Sequence, residues 1–205
     1  MDLNLKSREW KAFKIGDLFY VKIGKNVDGN KVDKQSGKTA YVTRKEEQNG
    51  LDGFIDFNSD YLNAECPVIT IGNETAKPFV QIFPFYAGTK VNILKSPKIK
   101  SIQALKFISQ CLAMQKTKYS FSFAISSARL KKQKILLPIT SEGTPDYAFM
   151  EAYMHQKEQE QLKEYQGHIT NRLEQLGRVM QLRHWIRNNG WNLRLANYLI
   201  YHKEN

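Results

Sequence analysis

The chain has 205 residues, of which 41% are hydrophobic, 12% aromatic and 25% charged. This length and composition predict a folded protein with one ordinary domain and an appendage, or two small domains, and exclude a disordered chain or one that needs a metal or disulfide to fold. The formal net charge of +11 indicates a polyanionic partner.

The positive charge is concentrated in one part of the chain. Residues 1–145 contain 23 basic and 13 acidic side chains, whereas the remainder contains 8 and 7. So localised an excess favours a surface that neutralises phosphates, with plain solubility as the alternative.

The first part of the chain consists of short apolar or alternating runs that predict strands. Glycine, asparagine and aspartate, which form turns, separate these runs. We expect a twisted mixed sheet or half-barrel. The predicted strands are Phe13–Ile15, Leu18–Ile23, Ala40–Thr43, Gly53–Phe57, Val68–Ile71, Phe79–Tyr86 and Lys90–Leu94.

An amphipathic helix is predicted over Ser101–Gln115, followed by an alternation of aromatics and serines at Tyr119, Phe121 and Phe123. A last strand, Ile135–Leu137, ends the globular part.

A long helix is predicted from Tyr147 to about Arg187, with Thr144 or Asp146 as its N-terminal cap. One face of this helix has apolar residues at spacings of three and four, which is typical of a helix that packs against a partner helix. These residues are Tyr165, Ile169, Leu173, Leu176 and Met180. The segment Trp191–Tyr201 is predicted to form a short terminal helix or tail.

Motifs of catalysis are missing from the sequence. A glycine-rich cofactor turn, a methyltransferase tetrapeptide and a phosphate-binding loop are not found, and Pro145-Asp146 is explained better by a helix cap than by a nuclease motif. We therefore expect a noncatalytic chain without a metal, although a site assembled only in the folded protein stays open.

Cysteines and histidines support the same expectation. Cys66 and Cys111 are expected to be reduced thiols, because no histidine lies beside them and their spacing fits no zinc site. His155, His168, His184 and His202 lack metal spacing and are expected to be solvated. Without a signal peptide or an apolar stretch of about 18 residues, we expect a cytoplasmic protein with no membrane contact.

Basic and polar residues in predicted loops, with aromatics between them, are the candidates for contact with double-stranded DNA. Lysine and most arginines contact phosphates, whereas asparagine, threonine and selected arginines read base edges. Each candidate has a structural alternative: Asn73 could form a turn, Tyr119 could lie in a core, and Lys131 and Lys132 could solvate a sheet edge. The candidates are Lys25, Lys38, Thr43, Arg44, Asn73, Thr75, Lys77, Lys90, Lys118, Tyr119, Arg129, Lys131 and Lys132.

Five segments together resemble a known family. They are Glu9–Phe19, Ala40–Arg44, Val68–Asn73, Phe85–Val91 and Arg129–Ile139. Taken together they are similar to target recognition domains of specificity subunits from type I restriction-modification systems and their type II relatives. The segment at Pro138 resembles the family's exit into its conserved spacer helix.

The resemblance implies an α+β fold with a target recognition domain over residues 1–145, a spacer and dimerisation helix that forms a coiled coil over 146–190, and a tail over 191–205. It implies a domain that reads one half of a split DNA target and positions methyltransferase and restriction subunits. S-adenosylmethionine and adenine methylation would belong to the methyltransferase partner.

Full-length members have two recognition domains and two spacer helices, whereas this chain has one of each. A half subunit that forms a homodimer or pairs with a second specificity half, and a fragment of a longer chain, are both open. Two other functions are also weighed: the recognition part of a fused restriction-methyltransferase enzyme, and a noncatalytic oligomerising decoy.

Overall fold

A computed structural model of the chain describes residues 3–115 and 125–188. It divides into two compact units, Met1–His155 and Gln156–Asn205. The described elements, in chain order, are β1 (Trp10–Lys14), α1 (Ile15–Leu18), β2 (Tyr20–Ile23), β3 (Thr39–Val42), β4 (Leu51–Ile55), β5 (Leu62–Asn63), β6 (Val68–Gly72), β7 (Pro78–Gln81), β8 (Phe85–Ala87), β9 (Val91–Lys95), α2 (Ile102–Ala113), α3 (Ser127–Lys132), β10 (Lys134–Pro138) and α4 (Tyr147–Asn188).

The strands of the first unit form three sheets. Their orders are β2-β9-β6-β7, β4-β3-β8-β5 and the pair β1-β10. Within the described strands, β3 and β8 run parallel and the other pairs run antiparallel. The α+β class and the mixed strand directions predicted from the sequence are confirmed.

The sheet that contains β6 and β9 is buried on both faces. On one face, Ile69, Ile71 and Leu94 belong to a core cluster that also contains the apolar face of α2. On the other face, Val68 and Ile93 pack with residues of β3 and β8. Burial on both sides explains why these strands have continuous apolar runs where a half-exposed strand would alternate.

The second face of the β3-β8 sheet is covered by the chain that precedes β3. Val27 and Val32 pack on Tyr41 and Tyr86 there, and the Tyr41 hydroxyl donates to the carbonyl of Val27 at 2.9 Å. The backbone N–H of Val27 donates to the carbonyl of Ala87 at 2.8 Å. This covering segment brings residues 28–34 to the end of β3.

Four predicted strands differ from the structure by two or more residues. The predicted strand Phe13–Ile15 corresponds to Trp10–Lys14, and the predicted strand Gly53–Phe57 corresponds to Leu51–Ile55. The predicted strand Leu18–Ile23 begins only at Tyr20, because α1 turns the chain over Ile15–Leu18. The predicted strand Phe79–Tyr86 is two strands, β7 and β8. Pro84, which has no N–H to donate to a ladder, lies between them.

The short helix α3 was not predicted. The side chain of Ser126 caps it by accepting from the N–H of Arg129 at 3.3 Å, and Leu130 anchors it in the core with no exposed surface. Strand β10 follows and pairs with β1. The predicted alternation at Tyr119, Phe121 and Phe123 lies outside the described residues.

The predicted long helix is confirmed as α4. Of the two candidate caps, Asp146 fills the position: its carboxylate accepts from the N–H of Phe149 at 2.9 Å. Phe149 and Met150 are completely buried in the first unit. In the second unit the predicted apolar face is exposed, from 39% at Ile169 to 71% at Met180. The predicted terminal helix lies outside the described residues.

Candidate nucleic-acid interface

A polar cleft of about 450 Å³ opens where several strands end. Because β3 and β8 are parallel, the loops that follow them, at Thr43 and Gly88, lie side by side. The turn after β6 reaches the same place, since Gly72 pairs with Val91 at the start of β9. The residues that line the cleft are Asp28, Gly29, Asn30, Lys34, Tyr41, Thr43, Arg44, Lys45, Asp52, Glu74, Thr75, Gly88 and Thr89.

One carboxylate of the cleft holds two cations. Glu74 forms an ion pair with Arg44 through Nη1 and a second with Lys90, whose Nζ lies 3.3 Å from Oε1. The Arg44 side chain keeps about one third of its surface exposed. The carboxylate therefore fixes the position of the guanidinium while leaving part of it open to a ligand.

A second carboxylate of the cleft also holds two cations. Asp52 lies 2.8 Å from Nζ of Lys34 and 2.5 Å from Nζ of Lys45. Partial burial acts to raise the pKa of Asp52, but the hydrogen bonds and charges of the two lysines outweigh it and lower this pKa below its ordinary value. Asp52 is thus ionised at neutral pH.

The phenol of Tyr41 lies at the floor of the cleft. Burial raises its pKa, and the negative charges of Asp52 and Asp28 raise it further. Tyr41 therefore stays protonated and donates to the carbonyl of Val27. Its hydroxyl holds the segment that covers the sheet, which is a structural role.

The charges of the cleft nearly balance. Lys34, Arg44 and Lys45 face Asp28, Asp52 and Glu74. Amide and hydroxyl groups of Asn30, Thr43 and Thr75 lie among them. Such a mixture of donors and acceptors suits the recognition of base edges better than the neutralisation of phosphates.

The cleft brings together some of the predicted contact residues. Thr43, Arg44 and Thr75 line it, and Lys90 joins it through Glu74. Lys77 lies half-buried in the turn after β6.

Other candidates lie elsewhere on the described surface. Lys25 lines a separate hollow with Lys22 and Lys95, and the backbone N–H of Lys38 donates to the Asp56 carboxylate at 3.3 Å. The exposed side chains of Arg129, Lys131 and Lys132 are on α3. Lys118 and Tyr119 lie outside the described residues.

Asn73 is adjacent to the cleft, but its side chain points to an internal partner. Its amide is hydrogen-bonded to the amide of Asn92. Turning the Asn73 amide over would place its nitrogen 3.0 Å from the carbonyl of Ile125, so the side chain is engaged in either orientation. This geometry favours the structural alternative for Asn73.

The sequence did not single out Asp28, Asn30, Lys34 or Asp52 as site residues. Asp28 and Asn30 begin a short 3-10 turn, in which the Asp28 carboxylate accepts from the N–H of Asn30 at 3.1 Å. The local signal for a site is that Asp28, Asn30 and Lys34 are polar residues close together in one loop. Nothing local indicated that Asp52 pairs with Lys34.

Two kinds of feature are missing from the described residues. Neither α4 nor any other described helix is long and apolar enough to cross a membrane. The same part of the chain has no group of three histidine, cysteine or acidic side chains placed to hold a metal ion.

The family model "Type I restriction modification DNA specificity domain" matches residues 7–182. A curated relative is the specificity subunit S.BcgI of a type II restriction enzyme, from Heyndrickxia coagulans. The two are 44% identical over 147 residues, which are 71% of this chain and 43% of the relative.

Solved structures of low sequence identity share the fold. The S subunit of a type I restriction-modification system from M. genitalium matches with a TM-score of 0.51 and 17% identity, over 92% of this chain and 46% of that one. The HsdS subunit from Thermoanaerobacter tengcongensis matches with a TM-score of 0.52 and 15% identity, over 74% of this chain and 38% of that one.

The chain spans less than half the length of these relatives. Because the family match extends over 7–182, it includes the strands of the first unit and most of α4. The chain therefore belongs to the family of the type I restriction modification DNA specificity domain.

Proposed function

We propose that this chain is a noncatalytic DNA-reading module of a restriction-modification system. The observation that carries the proposal is the polar cleft at the ends of β3, β6 and β8, where Glu74 holds a partly exposed Arg44. A pre-positioned guanidinium beside hydroxyl and amide groups suits the base edges of the major groove. The family to which the chain belongs is a family of DNA specificity domains, which agrees with this chemistry.

The described cations divide into two roles in this proposal. Arg44 reads a base, because its ion pair with Glu74 restricts its position. Lys131, Lys132 and Arg129 contact phosphates, because they are exposed on one short helix. The other exposed lysines contribute attraction that is independent of sequence.

We further propose that the chain reads one half of a split target and that α4 pairs with a second copy or with the helix of a second specificity half. Five apolar residues of α4 support this pairing, since each is at least 39% exposed at coiled-coil spacing: Tyr165, Ile169, Leu173, Leu176 and Met180. The chain spans 43% of S.BcgI and 46% of the M. genitalium subunit, which agrees with half of a two-domain subunit. A two-fold dimer would read an interrupted palindrome.

The catalytic chemistry belongs to partners in this proposal. A methyltransferase subunit supplies S-adenosylmethionine and takes the flipped adenine, and a restriction subunit supplies cleavage. This chain supplies the position on DNA.

The decisive experiment selects bound duplexes from a random pool with the purified full chain, alone and with its methyltransferase subunit. We expect a defined motif, and a steep decrease of log affinity with log salt. The same motif should appear as new methylation in cells that express both proteins, compared with cells that express the methyltransferase alone. A motif in neither arm, although the proteins copurify, would overturn DNA reading and favour the decoy.

Two variants test whether a residue of the cleft reads the selected motif. Arg44→Ala should change the selected motif at one base pair, whereas Arg178→Ala, an exposed arginine on α4, should leave it unchanged. An unchanged motif in both variants would show that the motif is read elsewhere on the chain.

A further inference from the structure

A buried amide lies behind the cleft. Asn92 of β9 has no exposed surface. Its neighbour on the same face of the strand is Leu94, which is part of the main apolar core. A polar side chain in this position lowers stability unless hydrogen bonds satisfy it, so its partners indicate why it is there.

Three hydrogen bonds satisfy Asn92. Its oxygen accepts from the hydroxyl of Ser127 at 2.6 Å, and its nitrogen donates to the carbonyl of Ile125 at 3.2 Å. The third partner is the side-chain amide of Asn73. One buried side chain thus joins β9, the turn after β6 and the first residue of α3.

Backbone hydrogen bonds join the same segments. The N–H of Asn73 donates to the carbonyl of Lys90 at 3.0 Å, and the carbonyl of Asn73 accepts from the N–H of Ile125 at 2.8 Å. The turn after β6 is therefore attached on one side to the loop before β9 and on the other to the chain that enters α3.

This turn also carries the groups that hold Arg44. Glu74, the residue after Asn73, forms the ion pairs with Arg44 and Lys90. On the other side of Asn73, Gly72 lies so close that a Cβ added to it would be 3.0 Å from Cα of Arg44. Asn73 thus lies between Glu74, which pairs with Arg44, and Gly72, whose backbone lies close to Arg44.

The other end of the network fixes the basic helix. Ser127 is the first residue of α3, and Ser126 before it caps the helix. Arg129 and Lys131 follow on the same short helix. A helix of six residues cannot hold its position by itself, so its attachment to Asn92 matters.

We infer that Asn92 is a positioning residue for DNA recognition: it fixes the distance between the base-reading Arg44 and the phosphate-contacting helix α3. The inference rests on the proposed function and deepens it. Phosphate contacts fix the register of a protein on DNA, and base contacts report sequence only when that register is correct. A rigid link between the two groups therefore contributes to discrimination between bases.

Ser127→Ala tests the inference with little risk to folding, because it removes one hydroxyl that bonds to Asn92. Ser109→Ala is the control: Ser109 is a buried helical serine of α2, whereas Ser127 is half-buried at the start of α3. Both variants are made in the full chain and compared with Arg44→Ala and with the double variant Arg44→Ala, Ser127→Ala. The readouts are competition between the selected duplex and single-base variants, affinity for unrelated duplex, and Tm.

We expect Ser127→Ala to lower discrimination severalfold at the base pair that Arg44→Ala identifies, and to lower affinity for unrelated duplex by a smaller factor. In the double variant, discrimination should be no lower than in Arg44→Ala alone, since both changes remove the same reading contact. Asn92→Asp should have the same effect as Ser127→Ala if it folds.

Two results would overturn the inference while leaving the proposed function in place. One is unchanged discrimination in Ser127→Ala, with a Tm decrease like that of Ser109→Ala. The other is additivity of Ser127→Ala with Arg44→Ala. Failure of the unmodified chain to select any motif, with or without its methyltransferase subunit, would overturn the proposed function itself and the inference with it.

Discussion

The guanidinium of Arg8 lies over the ring of Phe149, 4.3 Å from its centre. The same guanidinium is 3.6 Å from the carboxylate of Asp146, which caps α4. A residue that precedes β1 thereby holds the first turn of the long helix. The start of α4, which belongs to the first unit, is held there by charge and by an aromatic contact as well as by apolar burial.

Removal of this guanidinium should destabilise the first unit. We expect Arg8→Ala to lower the free energy of unfolding by about 1–3 kcal/mol, because it removes a half-buried cation–π contact and an ion pair with the cap. Urea unfolding followed by circular dichroism measures the change. Lys6→Ala, an exposed change two residues earlier, should cost under about 0.5 kcal/mol. Equal costs would contradict the role of Arg8.

The carboxylate of Asp52 should make stability depend on pH. Its pKa is lowered in the folded state, so its ionised form stabilises the protein above the ordinary value of 3.8, and this stabilisation is lost as the pH falls through the folded pKa. We therefore expect the protein to be more stable than Asp52→Asn at pH 7 and the difference to decrease below about pH 4. Urea unfolding of both proteins from pH 7 to pH 3 measures it.

The variant Lys45→Met is the matched test of the cause. It removes one of the two cations on Asp52, so the advantage over Asp52→Asn should be smaller in this background. A stability difference between the unmodified protein and Asp52→Asn that is the same at pH 7 and pH 3 would contradict the ion-pair explanation.

Gly72 and Gly177 should respond oppositely to the same change. A Cβ on Gly72 would lie 2.6 Å from Oγ1 of Thr75 and 3.0 Å from Arg44, so Gly72→Ala should cost about 1–3 kcal/mol and weaken base discrimination. Gly177 has no atom within 4 Å of an added Cβ and lies in α4, so Gly177→Ala should raise helicity and stabilise the helix by up to about 1 kcal/mol. Circular dichroism with unfolding curves measures both; a destabilising Gly177→Ala would show that a partner packs closely there.

Binding experiments should distinguish the loss of base reading from the loss of phosphate contacts. Arg44→Ala should reduce discrimination at one base pair by about 1–3 kcal/mol. The double variant Lys131→Ala, Lys132→Ala should weaken all duplexes equally and reduce the salt slope by up to about 2. Fluorescence anisotropy over a range of salt concentrations measures both. A change of motif in the lysine variant would contradict the assigned roles.

The apolar face of α4 should be required for self-association. We expect Leu173→Glu with Leu176→Glu to convert a dimer into a monomer, because two charges would be placed in the helix interface. Sedimentation equilibrium measures the mass, and circular dichroism checks that the first unit remains folded. Asn171→Glu with Gln175→Glu adds the same charges at other exposed positions of α4 and should leave the dimer intact. A monomeric unmodified chain would contradict the homodimer and leave pairing with a second specificity half.

The order and type of most elements could be predicted because they depend on local properties. The helical spacing of apolar residues predicted both ends of α2 to within two residues. The long stretch that is rich in charged residues and has no proline predicted α4. The error at Phe79–Tyr86 came from treating an apolar run as one strand although Pro84 interrupts it. The missed helix α3 has only six residues, too few for a period to be visible.

The candidate site was predicted only in part. Residue type was enough to select Arg44, Thr43 and Thr75, since loops rich in donors suit DNA. It was not enough to separate them from Asn73, because the direction of a turn side chain depends on Asn92, 19 residues later in the chain.

Charge, length and the order of motifs by themselves determined the α+β class, the long helix and the resemblance to DNA specificity domains, because those properties are additive or local along the chain. The tertiary structure decided which polar residues form one cleft. Arg44 and Glu74 are 30 residues apart and meet only because β3 pairs with β8 in parallel while β6 pairs with β9. Strand pairing of this kind depends on the burial of whole sheet faces, which no short stretch of sequence specifies.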